Sequence, residues 1–260
     1  MTDLEALLLG FLQGLTEFLP VSSSGHLVIG QALLGIRQEG VLFEITVHVA
    51  TLVSVLIFYR KRVVALAAGC LRGNRGDLRY VAKLGAATLP VVAVVLALGD
   101  WLEGLFESEF VAAVGLLITG GILWTTRHTA DAAHTGEPAW SAALWMGCAQ
   151  AVSLVPGISR SGATVATGLA LGVAPAAAAE FSFLMSAVAI AGAALRATPG
   201  LLVAPASGNG ALALGGGVAL LSGIVAIWLF VRLLRSRRFY RFAYYVWGAG
   251  GLMLVWLALR

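Results

Sequence analysis

The chain has 260 residues, 59% of them hydrophobic and only 12% charged, and its mean hydropathy is +0.91. Soluble domains carry about twice that charged fraction, so a water-soluble globular class is excluded in favour of a multi-pass membrane protein. The formal net charge of +4 fits basic cytoplasmic connections; no nucleic-acid motif accompanies it, and no nucleic-acid partner is expected.

The first 20 residues lack a basic start and carry Asp3, Glu5 and Glu17, so they do not read as a cleavable signal peptide. Residues 4–35 are apolar enough to enter a bilayer but are broken midway by "FLPVSSSGH". Full crossings are predicted at 41–59, 81–99, 110–126, 174–196, 211–234 and 242–259, each near the roughly 20 residues that span a bilayer. After the first of these come Arg60, Lys61, Arg62, Arg72, Arg75 and Arg79, whereas "DWLEGLFESE" (100–109) holds four acids and no base. Residues 140–173 are again apolar and again interrupted, by "VPGISRSGAT" (155–164). A last basic connection, "RSRRFYR" (235–241), precedes the final crossing and reads as a topology anchor. Lysine and arginine excess marks the cytoplasmic side. That places 60–79 and 235–241 inside, and 100–109, 197–210 and the C-terminus outside.

This arrangement leaves 4–35 and 140–173 without a crossing of their own. Each reads as a re-entrant hairpin, the first entering from outside and the second from inside; a single kinked crossing over 4–35 is the alternative. The two stretches align without a gap at an offset of 137 residues, with identities including Gly10/Gly147, Gln13/Gln150, Ser22/Ser159, Ser24/Ser161 and Gly25/Gly162. Each is followed by a span bearing one acid, Glu44 and Glu180. The expectation is an all-α integral membrane protein forming one membrane domain over 1–260. It has about six transmembrane helices plus two re-entrant helical hairpins, in an inverted-topology repeat over 1–126 and 140–260. Such repeats place a polar site near the midplane where their broken helices meet, and irregular backbone at that depth must face protein or a wet cavity.

In "VPGISRSGAT" one helix ends at Pro156-Gly157 and another starts at Ser159 to Ser161. A helix start presents free N–H groups and a positive dipole end to an anion. Arg160 adds a fork suited to phosphate, and Thr164 lies one turn further on. The competing reading makes the serines helix caps and pairs Arg160 with a membrane acid such as Glu17. In the first motif Gln13 and Glu17 share a helix face, Pro20 breaks the helix, and Ser22, Ser23 and Ser24 start the next, which carries His26. A carboxylate and a carboxamide suit Mg²⁺ or Ca²⁺, while serine or histidine can attack phosphorus with the other moving the proton. Glu44 and His48 share a face and are expected to satisfy each other. Cys70 and Cys148 have no metal-type spacing and read as small apolar residues. Small residues such as Gly120-Gly121 and "GAGG" (248–251) permit close helix packing, within the chain or in a homo-oligomer. No Walker loop, CxxC pair, HExxH or GxSxG is present. The residues point to a phosphate on a lipid or on a transported solute.

"QGLTEFLPVSSSGH" together with "PGISRSGAT" closely resembles the two signature regions of the bacterial undecaprenyl-pyrophosphate phosphatases, also called bacitracin-resistance proteins. The resemblance extends over the chain, including "LFE" at 42–44 and "AAEFSFLMS" at 178–186. It implies an inner-membrane enzyme, dependent on Mg²⁺ or Ca²⁺, that converts the polyprenyl pyrophosphate to undecaprenyl phosphate for reuse in cell-wall polymer synthesis. Its site would open to the outer face. Carried over by motif, Gln13 and Glu17 form the metal-binding (E/Q)xxxE pair, Ser22 and Ser23 are the serines and His26 the histidine. Ser159, Arg160, Ser161 and Thr164 belong to the phosphate-binding element. Position 13 is Gln where Glu is commoner, which makes Glu17 the principal carboxylate. Ser23 and His26 are both left as candidate nucleophiles. A transporter or flippase of a phosphorylated lipid is the competing function.

Overall fold

The computed structural model describes residues 2–34, 41–129, 136–201, 209–236 and 238–260. Eleven α-helices run through them. The first hairpin holds α1 (Asp3–Phe18) and α2 (Ser23–Leu34); then come α3 (Val41–Phe58), α4 (Arg60–Leu71), α5 (Arg75–Phe106) and α6 (Glu109–Thr129). The second hairpin holds α7 (Trp140–Val152) and α8 (Arg160–Ala170), followed by α9 (Pro175–Leu201), α10 (Asn209–Arg235) and α11 (Phe242–Leu259), the last entered through a 3-10 turn at Phe239–Arg241. The fold is all-α, and α5, α6, α9, α10 and α11 are each long and apolar enough to cross a bilayer.

Local chemistry sets the helix limits. Thr2 and Glu5 form a capping box at α1, with the Thr2 N–H donating to Glu5 Oε2 (2.8 Å) and the Glu5 N–H to Thr2 Oγ1 (3.3 Å). Asn74 Oδ1 caps α5 by accepting from the N–H of Gly76 (2.8 Å) and Asp77 (3.3 Å). Pro175 occupies the first position of α9, where a missing N–H is harmless. Two expectations are refined. The crossing predicted at 41–59 ends where α3 meets α4 at a 77° bend. The crossing predicted at 81–99 continues to Phe106 beyond a kink at Leu98 (φ −132°, ψ 19°), so most of the acidic stretch at 100–109 is helical rather than a loop.

Close backbone approach seats the hairpins. α1 lies along α10 and α7 along α5. A Cβ added at Gly10 would sit 2.3 Å from the Gly215 carbonyl oxygen, and one at Gly14 would sit 2.3 Å from that of Ala219. At Gly147, the aligned partner of Gly10, it would meet the Ala87 oxygen at 2.2 Å. Lipid tails are as apolar as leucine, so helix contact here depends on such van der Waals fit more than on burial from water. Behind the first hairpin, edge-to-face rings link Phe18 to Phe183 (5.5 Å), Phe183 to Phe230 (5.1 Å) and Phe230 to Phe239 (5.3 Å). Each pair adds about 0.5–1.5 kcal/mol beyond area burial, and the row holds the C-terminal end of α1 against α9.

A methyl group at these glycines must push two backbones apart. Gly147→Ala and Gly10→Ala are each expected to destabilise the protein by about 1–3 kcal/mol in thermal unfolding of the detergent-solubilised chain. Gly121→Ala, with nothing within 4 Å of the new methyl, serves as the neutral control; an equal loss there would refute the contact argument.

Candidate active site

The two helix breaks meet. At the first, Leu19 is extended (ψ 147°), as the residue before a proline prefers, and Ser22 turns the chain with φ +68°. That left-handed conformation is uncommon outside glycine. It is held by the Ser22 hydroxyl, which accepts from the Gly25 N–H (3.3 Å) and contacts Ser24 Oγ (3.2 Å). At the second break Gly157 has φ +88°, and a Cβ there would lie 2.1 Å from the Ala112 oxygen of α6, so no other residue fits. Ser159 caps α8 by accepting from the Gly162 N–H (3.1 Å). Thr119 on α6 clasps this turn, donating to the Gly157 carbonyl and accepting from the Ser159 N–H, both at 2.8 Å. Between the breaks, Ser161 Oγ donates to the Leu19 carbonyl (3.2 Å) and the Gly157 N–H to Ser24 Oγ (3.4 Å).

Glu17 sits at the junction. Its Oε2 accepts from Ser23 Oγ (2.7 Å) and Gln13 Nε2 (3.0 Å), while Oε1 accepts from Arg160 Nη2 of the other hairpin. The contacts of the competing reading of the second motif are therefore present: Ser159 caps a helix, and Arg160 pairs with Glu17. The pair is largely withdrawn from solvent, with side-chain exposures of 15% for Arg160 and 8% for Glu17. Arg160 Nη1 and Gln13 Oε1 are buried and have no protein partner.

A cavity of about 590 Å³ opens beside this cluster. Its polar end is formed by Glu17, Ser22, Ser23, Ser24, Ser159 and Arg160, and its apolar walls by Val91, Val92, Val95, Leu96, Val188 and Ile190. The walls continue to Phe106 near the end of α5 and to Arg196 on α9. Glu44 and His48 also face the cavity, with His48 Nδ1 2.7 Å from the Glu44 carbonyl oxygen.

The remaining sequence candidates lie elsewhere. Gln13 is fully buried behind Glu17. Thr164 is likewise fully buried and off the cavity wall, donating to the Arg160 carbonyl (2.8 Å) and sharing a hydrogen bond with Ser182 (2.6 Å). His26 is turned away from Glu17 and Ser23: Nδ1 lies 2.8 Å from the Ser22 carbonyl oxygen, and Nε2 lies 2.8 Å from the hydroxyl of Tyr245, whose ring stacks on the imidazole. Glu180 is remote from the cavity and bonds to Arg62 (2.9 Å) and Tyr80 (3.2 Å). Cys70 and Cys148 are unbonded to each other. Nothing local in the sequence marks Thr119 or Tyr245. Gln150, which lines the cavity, was visible only as a repeated residue.

This junction lies within residues 6–252, which match the family model described as Bacitracin resistance protein BacA. The chain belongs to the BacA family. Relatives named undecaprenyl-diphosphatase cover nearly the same length. The protein from Desulfosudis oleivorans is 40% identical over 276 residues, all of both chains. That from Syntrophotalea carbinolica is 40% identical over 260 residues, 97% of this chain and 98% of the relative. That from Desulforapulum autotrophicum is 36% identical over 267 residues, 96% of this chain and 97% of the relative.

Removing one member of a buried ion pair strands the other. Arg160→Met is expected to lower stability by about 3–5 kcal/mol. Glu17→Gln added to it should restore more than half of that loss while leaving the protein inactive. Thermal unfolding of the two single variants and the double variant measures the coupling, and strictly additive losses would contradict a direct pair.

Proposed function

We propose that this BacA-family protein is an undecaprenyl-diphosphatase. It hydrolyses undecaprenyl pyrophosphate to undecaprenyl phosphate and inorganic phosphate, which returns the lipid carrier to cell-wall polymer synthesis and confers bacitracin resistance. The observation that carries this reading is one carboxylate, Glu17, holding a serine hydroxyl on one oxygen and an arginine on the other, at the polar end of an apolar-walled cavity.

The resting site is closed on itself by the Glu17–Arg160 pair. A pyrophosphate brings more negative charge than one carboxylate, and Arg160 still has Nη1 to offer it. As Arg160 turns toward the phosphate, its hold on Glu17 weakens and Glu17 becomes a better proton acceptor for Ser23. Ser23 Oγ then attacks the terminal phosphorus while its proton passes to Glu17. The bond from that phosphorus to the bridging oxygen breaks, and the lipid monophosphate leaves with the bonding pair. Water next replaces Ser23 on phosphorus, and Glu17 returns the proton to the serine oxygen. Arg160, the start of α8 capped by Ser159, and the start of α2 beside Ser22 present positive charge where the phosphoryl oxygens gather. Ser161 and Thr164 support this from behind, holding Leu19 and the Arg160 carbonyl. His26 braces the turn at Ser22 and does not share the cavity with Ser23.

A divalent cation fits this donor set in one way. Mg²⁺ is commonly held by one or two carboxylates plus substrate phosphates, and Glu17 would hold it, with Gln13 Oε1 as a second oxygen. Among the described residues no three His, Cys, Asp or Glu side chains converge as a metal cage. When bound, Mg²⁺ or Ca²⁺ would neutralise phosphate charge. The cavity walls run toward Phe106 and Arg196, ends that the distribution of lysine and arginine assigns to the outer face; this supports a site opening to the extracytoplasmic side of the inner membrane. The matching glycine contacts at Gly10 and Gly147 support reading 1–126 and 140–260 as an inverted repeat.

Phosphate release from a polyprenyl pyrophosphate in detergent tests the reaction. Ser23→Ala and Glu17→Gln are each expected to lower turnover by about 10² or more, and His26→Ala by about tenfold; a silent Ser23→Ala beside a dead His26→Ala would reverse the nucleophile assignment. EDTA should suppress release, and added Mg²⁺ or Ca²⁺ should restore it; full activity in EDTA would remove the metal from the scheme.

A further inference from the structure

Gln150 on α7 is 3% exposed and lines the cavity that holds Glu17 and Arg160. Neither its amide nitrogen nor its amide oxygen has a protein hydrogen-bond partner. Buried amides are normally paired, so a wholly unpaired one calls for an explanation. Its counterpart at the 137-residue offset, Gln13, donates to Glu17 one turn later (3.0 Å). The residue one turn after Gln150 is Leu154, also on the cavity wall, so this hairpin supplies no carboxylate to take up the amide. The orientation of α7 is fixed by Gly147 against the Ala87 backbone, and the Gln150 carbonyl is held by the Ser153 hydroxyl (2.7 Å). A firmly seated helix thus holds an unused, buried amide in the cavity lining, and Arg160, which also lines the cavity, keeps a buried and unused Nη1.

We propose that Gln150 is a substrate-binding residue of this site: its Nε2, with Arg160 Nη1, donates to the pyrophosphate group. The inference rests on the phosphatase reading for the identity of the ligand. A pyrophosphate has several oxygens able to accept from both donors at once, whereas a hydrocarbon tail satisfies neither. The Gln150 Oε1 accepts from a P–OH group or from the water that completes hydrolysis.

The test uses the full chain in detergent, comparing wild type with Gln150→Leu and Gln150→Glu. Gln150→Leu is expected to raise KM for polyprenyl pyrophosphate about tenfold and to change kcat by less than about threefold. It should weaken inhibition by inorganic pyrophosphate to the same degree, with no loss of unfolding temperature, since an unpaired polar group is removed. Gln150→Glu keeps the side-chain size and sets a carboxylate against the anion, so it should abolish the rise in unfolding temperature that inorganic pyrophosphate gives the wild type. Wild-type KM and pyrophosphate inhibition in Gln150→Leu would overturn the proposal, as would a shift confined to the Mg²⁺ concentration for half-activation. Should Gln150→Leu not fold, Gln150→Glu with undiminished pyrophosphate stabilisation would overturn it equally. If the wild type released no phosphate from the lipid, the phosphatase reading would fall, while stabilisation by inorganic pyrophosphate would still decide the role of Gln150.

Discussion

The contact between Arg160 and Glu17 is the constraint on which this molecule is built. Neither charge is tolerable alone at membrane depth, and each makes the other acceptable only if the two helix breaks are brought face to face. That requirement explains much that otherwise looks incidental. The first hairpin approaches α10 through Gly10 and Gly14, and the second approaches α5 through Gly147, because side chains there would hold the breaks apart. Gly157 supplies a turn and a fit against α6 that no larger residue allows. Thr119 then satisfies the turn's buried Gly157 carbonyl and Ser159 N–H.

In the proposed mechanism the same pair would make the site responsive to its ligand. An arginine already neutralised by a carboxylate neither attracts stray anions strongly nor leaves a charge uncompensated. In the proposed reaction a multiply charged phosphate draws it away, and doing so would release the carboxylate that the serine needs. On that proposal, binding and activation would be linked through one guanidinium group. The neighbouring helix starts reinforce this without any moving part, since their dipoles are fixed by α2 and α8.

Composition was enough to reveal the crossings, because about twenty apolar residues in a row have few other uses. It did not reveal the bend at Tyr59 or the continuation of α5 beyond Leu98, where helix persists although the apolar run has ended. The site was legible to the extent that its groups lie close in sequence: Glu17, Ser22 and Ser23 in one motif, Ser159 and Arg160 in the other. The orientation of His26 was not, because Tyr245, the partner that turns its ring, lies 219 residues away. Glu180 stands out in sequence as a lone acid in a span, yet Arg62 and Tyr80, 118 and 100 residues earlier in the chain, account for it. Thr119 belongs to no motif and acts through contacts 38 and 40 residues distant. Sequence proximity exposed the candidate groups; their supporting contacts are long-range and needed three dimensions.

The seating of the hairpins also sets a timetable for biogenesis. α1 leaves the ribosome well before the helix whose backbone it touches, α10, which begins only at Asn209. At about 5–20 residues per second, the first hairpin waits on the order of ten to forty seconds before its groove exists. Throughout that interval Glu17 is in or near the bilayer without Arg160 for much of the time, and without a finished helix bed for all of it. The nascent protein must therefore shelter a carboxylate at the insertion machinery or the membrane surface. The junction around Glu17, although encoded ahead of α10, is completed only after that helix has emerged.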